Sequence, residues 1–351
     1  CADWADGVNE LRRAVDRFTP EYAAQRAGVE ATQLIDAARM FAANARLGAA
    51  SSGTGPNMGP HSNLAEHLIE CLNVVCGRYQ RVGDRIANPG VLSKPGTLHA
   101  EVRPPRRQWE HGPRSRVRGL GRLMGEKLSG ALADEILTSG EGQIRALFVV
   151  GGNPASALPN PQRAVQALGS LDLLVAIEPF QTTTTQLAHY IFPPKLQYER
   201  PDLPVLADPT YYSEPFSQFT PALAVAPEEA VDEWLIFWSL AQRLGRPIRW
   251  RGLTLDVSNP PTSEALLERL VHDSRIPFTE IQAQPGGQVF NIATEYVQPP
   301  RKDSVSRFSV LPPDIEEELK EVREELPIRE LAAQRGFTHL LAVKRLRPVL
   351  N

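Results

Sequence analysis

The sequence has little cysteine and little methionine, three of each in 351 residues. Cys1, Cys71 and Cys76 are too few for a disulfide framework and are not spaced as zinc or iron–sulfur ligands, so they read as inert, buried thiols. Long hydrophobic runs are missing as well. No stretch reaches the roughly 18 apolar residues that a spanning helix needs, and no direct membrane insertion is expected. Neither sign of charge dominates: 38 basic against 41 acidic residues give a net charge of -3 and a pI of about 6.2, with no overall pull toward nucleic acid. A glycine-rich dinucleotide fingerprint is also absent. Gly119-Leu120-Gly121 follows no strand pattern and lacks a third glycine at the required spacing, which counts against an ordinary nicotinamide dehydrogenase. The expectation is a soluble, cytoplasmic protein with a small-molecule substrate and no nucleic-acid partner.

What is present is enough apolar material for a core, 42% of residues, in a chain longer than one average domain, so two or three domains are expected. The most informative stretch is 144–201. An apolar, β-branched run at 144–150 ends in Gly151-Gly152-Asn153-Pro154, and a second at 171–177 ends in Glu178-Pro179-Phe180. Between them Ala164, Val165, Ala167 and Leu168 fall at helical spacing, so the segment reads as a βαβ unit whose first strand is covered on both faces. Open α/β sheets bind ligands beyond the carboxyl ends of their strands, which places a binding crevice at these two polar stops.

Elsewhere, Thr19-Pro20-Glu21 opens a helix with a hydroxyl cap and proline at its first position, and 30–43 is a second amphipathic helix. Residues 47–52 read as a short strand feeding a turn-rich loop from Gly53 to Pro60. A helix follows at 63–75 with Leu64, Leu68, Leu72 and Val75 on one face. Residues 84–122 are rich in Pro and Gly and carry seven arginines from Arg103 to Arg122, a long connection whose arginines read as a solvated surface. A helix at 228–244 carries Trp234, Phe237, Trp238 and Leu240 as a core-facing stripe. Shorter helices are expected at 263–272 and 312–326, and a strand at 339–343. His61, His67 and His189 lack metal-ligand spacing, and no metal is assigned to them. The chain starts at Cys1 and stops at Asn351 just after a strand pattern, and reads as an internal piece of a longer protein.

Gly-Asn-Pro after a strand, then Glu178-Pro179-Phe180-Gln181-Thr182, Leu187-Ala188-His189-Tyr190-Ile191-Phe192-Pro193-Pro194 and Glu199-Arg200, together resemble the molybdopterin oxidoreductases of the dimethyl-sulfoxide reductase family. The loop from Thr54 to Met58 falls where that family has its "GxNQ" loop. The stretch from Val75 to Asp84 falls at its "LTGxxGxPG" motif, here visibly eroded. The resemblance implies an α/β fold of open, mostly parallel sheets flanked by helices in Rossmann-like lobes, with the start of a C-terminal β-barrel-type domain. The implied divisions are the end of a cofactor-binding lobe at 1–90, an irregular connection at 91–140 and a second α/β cofactor-binding lobe at 141–250. A Pro/Gly-rich connection at 251–335 and the opening of the C-terminal domain at 336–351 complete them.

In that family two molybdopterin guanine dinucleotides hold molybdenum or tungsten. The resemblance implies that Thr54, Met58, Gly152, Asn153, Ile177, Glu178, Arg200, Asp232, Lys344, Arg345 and Asn351 hold the cofactor. Asn153 can donate and accept toward a pterin, ribose or guanine edge, Glu178 can accept from ribose or guanine N–H groups, and Arg200 can pair with phosphate or stack on a base. Lys344 and Arg345 would face pyrophosphate or pterin, and a one-residue slip would nominate Glu233 in place of Asp232. Purely structural roles stand beside these: an Asx turn at Asn153, a cap at Glu178, a surface ion pair at Glu199-Arg200. A [4Fe-4S] cluster and the molybdenum ligand would belong to a segment before Cys1, so the fragment alone would be inactive. The implied function is two-electron redox of a small substrate of formate, nitrate or sulfoxide type, with an electron-transfer subunit as partner. The competing implication is a non-catalytic scaffold subunit of a respiratory complex that kept the fold and lost the metal.

Overall fold

The computed structural model describes residues 3–43, 48–339 and 341. In chain order the main elements are α1 (Val8–Val15), α2 (Pro20–Ala27), α3 (Ala31–Ala43), α4 (Ser62–Val75), β1 (Ala146–Val150), α5 (Pro161–Gly169), β2 (Leu173–Ile177), β3 (Tyr190–Phe192), α6 (Glu233–Arg243), α7 (Ser263–Leu270) and α8 (Pro313–Glu324). They fall into two compact units. The first gathers Cys1–Arg85, Thr97–Pro104 and the chain from Tyr296, and the second Ile86–Gly96 and Pro105–Glu295. Lys344, Arg345, Asn351, Cys1 and most of the expected strand at 339–343 and of the expected C-terminal domain lie outside the described residues.

The first unit is helical, with one small parallel pair, Ala5–Asp6 against Phe308–Ser309. Its α2 starts as its sequence dictates: the Thr19 hydroxyl accepts from the Tyr22 N–H at 3.2 Å, Pro20 follows, and Gly28 ends the helix at φ +72°. The core joins Leu11 of α1, Leu64, Cys71 and Val74 of α4, and Ile315 and Leu319 of α8. This corrects the expected face of α4, since Leu72 and Val75 are 48% and 46% exposed. Apolar residues surround this helix, so periodicity alone does not choose the face; packing against α1 and α8 does. Residues 48–52 form no strand. Instead the Asn73 side chain donates to the Ala50 carbonyl and accepts from its N–H, both at 2.8 Å, and so supplies the paired hydrogen bonds a neighbouring strand would have given.

The second unit is built on the parallel sheet β1-β2-β3, with Ala146 opposite Leu173, Val150 opposite Ile177 and Val175 opposite Tyr190. Central β2 is buried almost throughout. β1 is an edge strand whose Val150 is 48% exposed, which corrects the expectation that this strand is covered on both faces. Ala164, Ala167 and Leu168 of α5 bury against the sheet, as the helical spacing required. In α6 only Trp238 is buried, while Phe237 and Leu240 stay 42% and 38% exposed, a correction to the expected core stripe.

A second core in this unit packs Val91, Leu92, Leu203, Phe219, Val271, Phe278, Ile281 and Phe290. Buried Asp208 organises it by accepting from the N–H groups of Val91, Leu92 and Ser93 at 2.8, 2.9 and 3.2 Å. Arginines of the 105–122 stretch brace backbone: Arg116 donates to the Thr138 carbonyl at 2.6 Å and pairs with buried Glu135. Gly121 lies so close to Trp109 that a β-carbon would overlap the Trp109 carbonyl oxygen, which gives that glycine a packing reason.

Candidate functional site at the strand ends

The three parallel strands of the second unit stop together and step into their loops. Gly151, at φ +59°, donates its N–H to the Ile177 carbonyl at 2.9 Å, and Glu178 donates to the Phe192 carbonyl at 3.1 Å. Ile177 is fully buried and contributes backbone to this edge, not side chain. A β-carbon on Gly152 would meet no atom within 4 Å, so the backbone there faces open space. No protein neighbour demands glycine at that position, whereas close approach of a ligand would use it.

Asn153 is engaged through both its side-chain oxygen and its side-chain nitrogen. Its side-chain oxygen accepts from the Thr183 hydroxyl, the Thr184 N–H and the Thr184 hydroxyl at 2.9, 3.2 and 2.7 Å, and its amide nitrogen donates to the Ser156 hydroxyl at 3.1 Å. Thr184, with no exposed surface, in turn accepts from the Ala155 N–H at 3.1 Å. The loop after β1 is thereby stitched to the loop after β2. Apart from the local bond to Ser156, these bonds run between loops and not within an Asx turn, and the run Thr182–Thr185 is their only trace in sequence. Glu178 is buried beside this clasp. One carboxylate oxygen accepts from the Phe180 N–H at 3.2 Å, which caps the next segment, and the other makes no hydrogen bond among the described residues. That second oxygen is an acceptor available to a ligand.

After β3 the chain runs beside the start of α6: Val231 donates to the Pro193 carbonyl and Lys195 to the Val231 carbonyl, both at 3.0 Å. Two ion pairs follow. The Lys195 ammonium sits 2.7 Å from Asp232, and the Arg200 guanidinium 2.9 Å from Glu233. Asp232 also accepts from the Ser263 hydroxyl at 3.2 Å, which itself accepts from the Trp234 indole N–H at 2.9 Å. Although Asp232 is the N-cap residue of α6, its side chain makes no capping bond, because Lys195 and Ser263 take both oxygens. Glu199 does not pair with Arg200 but accepts from the Leu196 N–H at 2.8 Å, which corrects the surface-pair reading. Lys195 escaped sequence reading, since nothing local to Pro194-Lys195-Leu196 announces a partner 37 residues away. Phe180 and Tyr198, from the loops after β2 and β3, are strongly exposed and offer aromatic faces for stacking.

In the first unit, Thr54 begins a helical turn, Thr54–Asn57, where an open loop was expected. Met58 follows it with 79% of its surface exposed, and its N–H donates to the Gly55 carbonyl at 3.1 Å. His189 accepts from the Leu174 N–H at 2.9 Å and His67 lies 3.0 Å from the Val310 carbonyl, so both serve the fold. Among the described residues no three His, Cys, Asp or Glu side chains converge as a metal site.

A family model described as molybdopterin oxidoreductase matches residues 7–243. The alpha subunit of the F420-dependent formate dehydrogenase of Methanocaldococcus jannaschii is 25% identical over 246 residues, covering 68% of this chain and 35% of that protein. Acetylene hydratase of Syntrophotalea acetylenica is 23% identical over 275 residues, 69% of this chain and 36% of that protein. Among solved structures, acetylene hydratase from Pelobacter acetylenicus superposes with a TM-score of 0.55 at 18% identity, over 83% of this chain and 41% of that one, a likeness of fold. The chain thus spans about a third of the length of the curated relatives it matches.

Proposed function

The chain belongs to the molybdopterin oxidoreductase family, and on that premise we propose that it is part of a molybdenum-dependent (or tungsten-dependent) oxidoreductase that binds molybdopterin guanine dinucleotide. The observation that carries this reading is the strand-end ledge of the second unit. There, open backbone at Gly152, a free Glu178 oxygen and two cation–carboxylate pairs occupy one edge of a parallel sheet inside the matched region.

The donor set suits a nucleotide. Glu178 accepts from ribose hydroxyl or guanine N–H groups, Asp232 offers the same acceptors at the start of α6, and Lys195 and Arg200 carry charge for phosphate. Asn153 acts one step removed, holding the loops so that Gly152 backbone and Glu178 keep their places. Thr54 and Met58 of the first unit are also assigned to cofactor binding, as are Lys344, Arg345 and Asn351. When bound, the cofactor supplies two-electron redox chemistry at its metal, and the protein supplies binding, orientation and electrostatics. Substrates of formate, nitrate or sulfoxide type fit this class. Formate is favoured by relatives named as formate dehydrogenases at 25 to 28% identity. Relatives named as alpha subunits support an electron-transfer partner subunit, and a [4Fe-4S] cluster is assigned to the whole protein.

Elemental analysis and pterin extraction of the full-length protein, made in a molybdenum- and tungsten-replete host, test this. Metal together with guanosine monophosphate released on acid hydrolysis is the expected result. A second reading, a non-catalytic scaffold subunit of a respiratory complex, draws on Met58 standing where the family has glutamine and on the eroded motif at Val75 to Asp84. Protein free of both metal and pterin would overturn the first reading and leave this one.

A further inference from the structure

His61 is the hinge residue between the exposed 53–60 turn and α4, and it occupies the left-handed region at φ +55°. Both of its ring nitrogens are engaged, Nδ1 with Glu318 of α8 at 3.0 Å and Nε2 with Glu325 just beyond α8 at 2.8 Å. Neutral imidazole offers one donor and one acceptor, whereas ionised carboxylates only accept, so this double bridge requires imidazolium. We propose that His61 is a proton-operated clasp that fastens the 53–60 turn to the end of α8, closed when the ring is protonated and released when it is neutral. The assignment does not rest on the cofactor reading, although the turn it controls carries Thr54 and Met58, and it adds a control on one loop of the first unit.

The groups around the ring agree. Glu318 and Glu325 approach from the α8 side, Arg26 of α2 donates to the Glu325 carbonyl at 3.0 Å, and Arg329 lines the adjoining cavity with His61, Arg26 and Glu325. On α4 itself, Glu66 is occupied by the Ser52 hydroxyl. The two arginines oppose a third positive charge, but each carboxylate touches the ring directly, and Glu325 foremost with Glu318 holds His61 above its ordinary value of 6.5 despite partial desolvation. Because the folded-state value is raised, the closed clasp is fully present below pH 6.5 and is lost as pH rises through the folded value. Each unit of that elevation makes closure about tenfold tighter than with neutral histidine. The apolar contact of Leu64 with Ile315 and Leu319 does not titrate, so release is confined to the turn.

The test is hydrogen exchange by mass spectrometry on the full-length protein across pH 5.5 to 9, corrected for intrinsic rates and followed in peptides covering 48–61 and 64–75. Protection of 48–61 should fall at least several-fold with rising pH while 64–75 holds. In His61→Asn, which tolerates the left-handed backbone, and in Glu318→Gln/Glu325→Gln, protection should be low and independent of pH. Protection of 48–61 that is flat with pH in the wild type, or a pH dependence that survives in His61→Asn, would overturn the clasp. If His61→Asn unfolds, the double glutamine variant decides by the same criterion.

Discussion

The Asn153 clasp and the His61 clasp perform the same task, tying a loop to its neighbour, with opposite chemistry. The first uses neutral amide and hydroxyl groups around a Thr184 that has no exposed surface; the second uses an imidazolium between two carboxylates at a partly open helix end. Buried neutral groups lose heavily when a partner is removed, because the survivor is left without water. Partly solvated charges lose less on removal but respond to pH. The contrast teaches that the strand-end ledge is built to stay fixed, whereas the 53–60 turn is held conditionally.

The largest expected effect tests the fixed side. Asn153→Ala strands the Thr184 N–H and hydroxyl and should cost about 2–4 kcal/mol in denaturant unfolding of the second unit. An undiminished midpoint would place the two clasps on equal footing. Gly121→Ala should come next, at about 1–3 kcal/mol, because its β-carbon would overlap the Trp109 carbonyl. Gly152→Ala meets open space and should change stability by under about 1 kcal/mol while lowering pterin content, so the two glycines separate packing from ligand approach.

Lys195→Met should cost about 1 kcal/mol or less, since the pair with Asp232 is partly solvated, and should weaken retention of the guanine nucleotide more than it weakens the fold. The smallest effect concerns acid. Arg301 beside Glu101 holds that carboxyl at about 2, below its usual 4.5. A depressed value contributes stability present above pH 4.5 and lost as pH falls toward 2, so Glu101→Gln should flatten the first unit's stability between those limits. That window lies below the one His61 governs, and an acid titration of wild type and variant distinguishes them.

Local chemistry made much of this legible. Thr19-Pro20 marks the start of α2, and the two apolar runs mark the strands and their polar stops, because these signals act over a few residues. What sequence hides is partnership at a distance. A left-handed histidine and two glutamates more than 250 positions on give no shared pattern, and neither do Lys195 and Asp232. Asn153 was legible as important and illegible in role, since an amide's capacity to donate and accept names no partner. The face of α4 was misread because its apolar residues point every way and only α1 and α8 select among them.

The core of the first unit has a further consequence, for synthesis. Leu11, Leu64, Cys71 and Val74 leave the ribosome long before Ile315 and Leu319, and Ala5–Asp6 waits equally long for Phe308–Ser309. At typical elongation rates the gap between α4 and α8 lasts roughly 10 to 50 seconds. Throughout it the nascent helices carry an uncovered apolar seam while the second unit, whose chain is contiguous from Pro105 to Glu295 apart from one short segment, can already close. Chaperone dependence should therefore centre on residues 8–75, whose core is completed only when α8 is made.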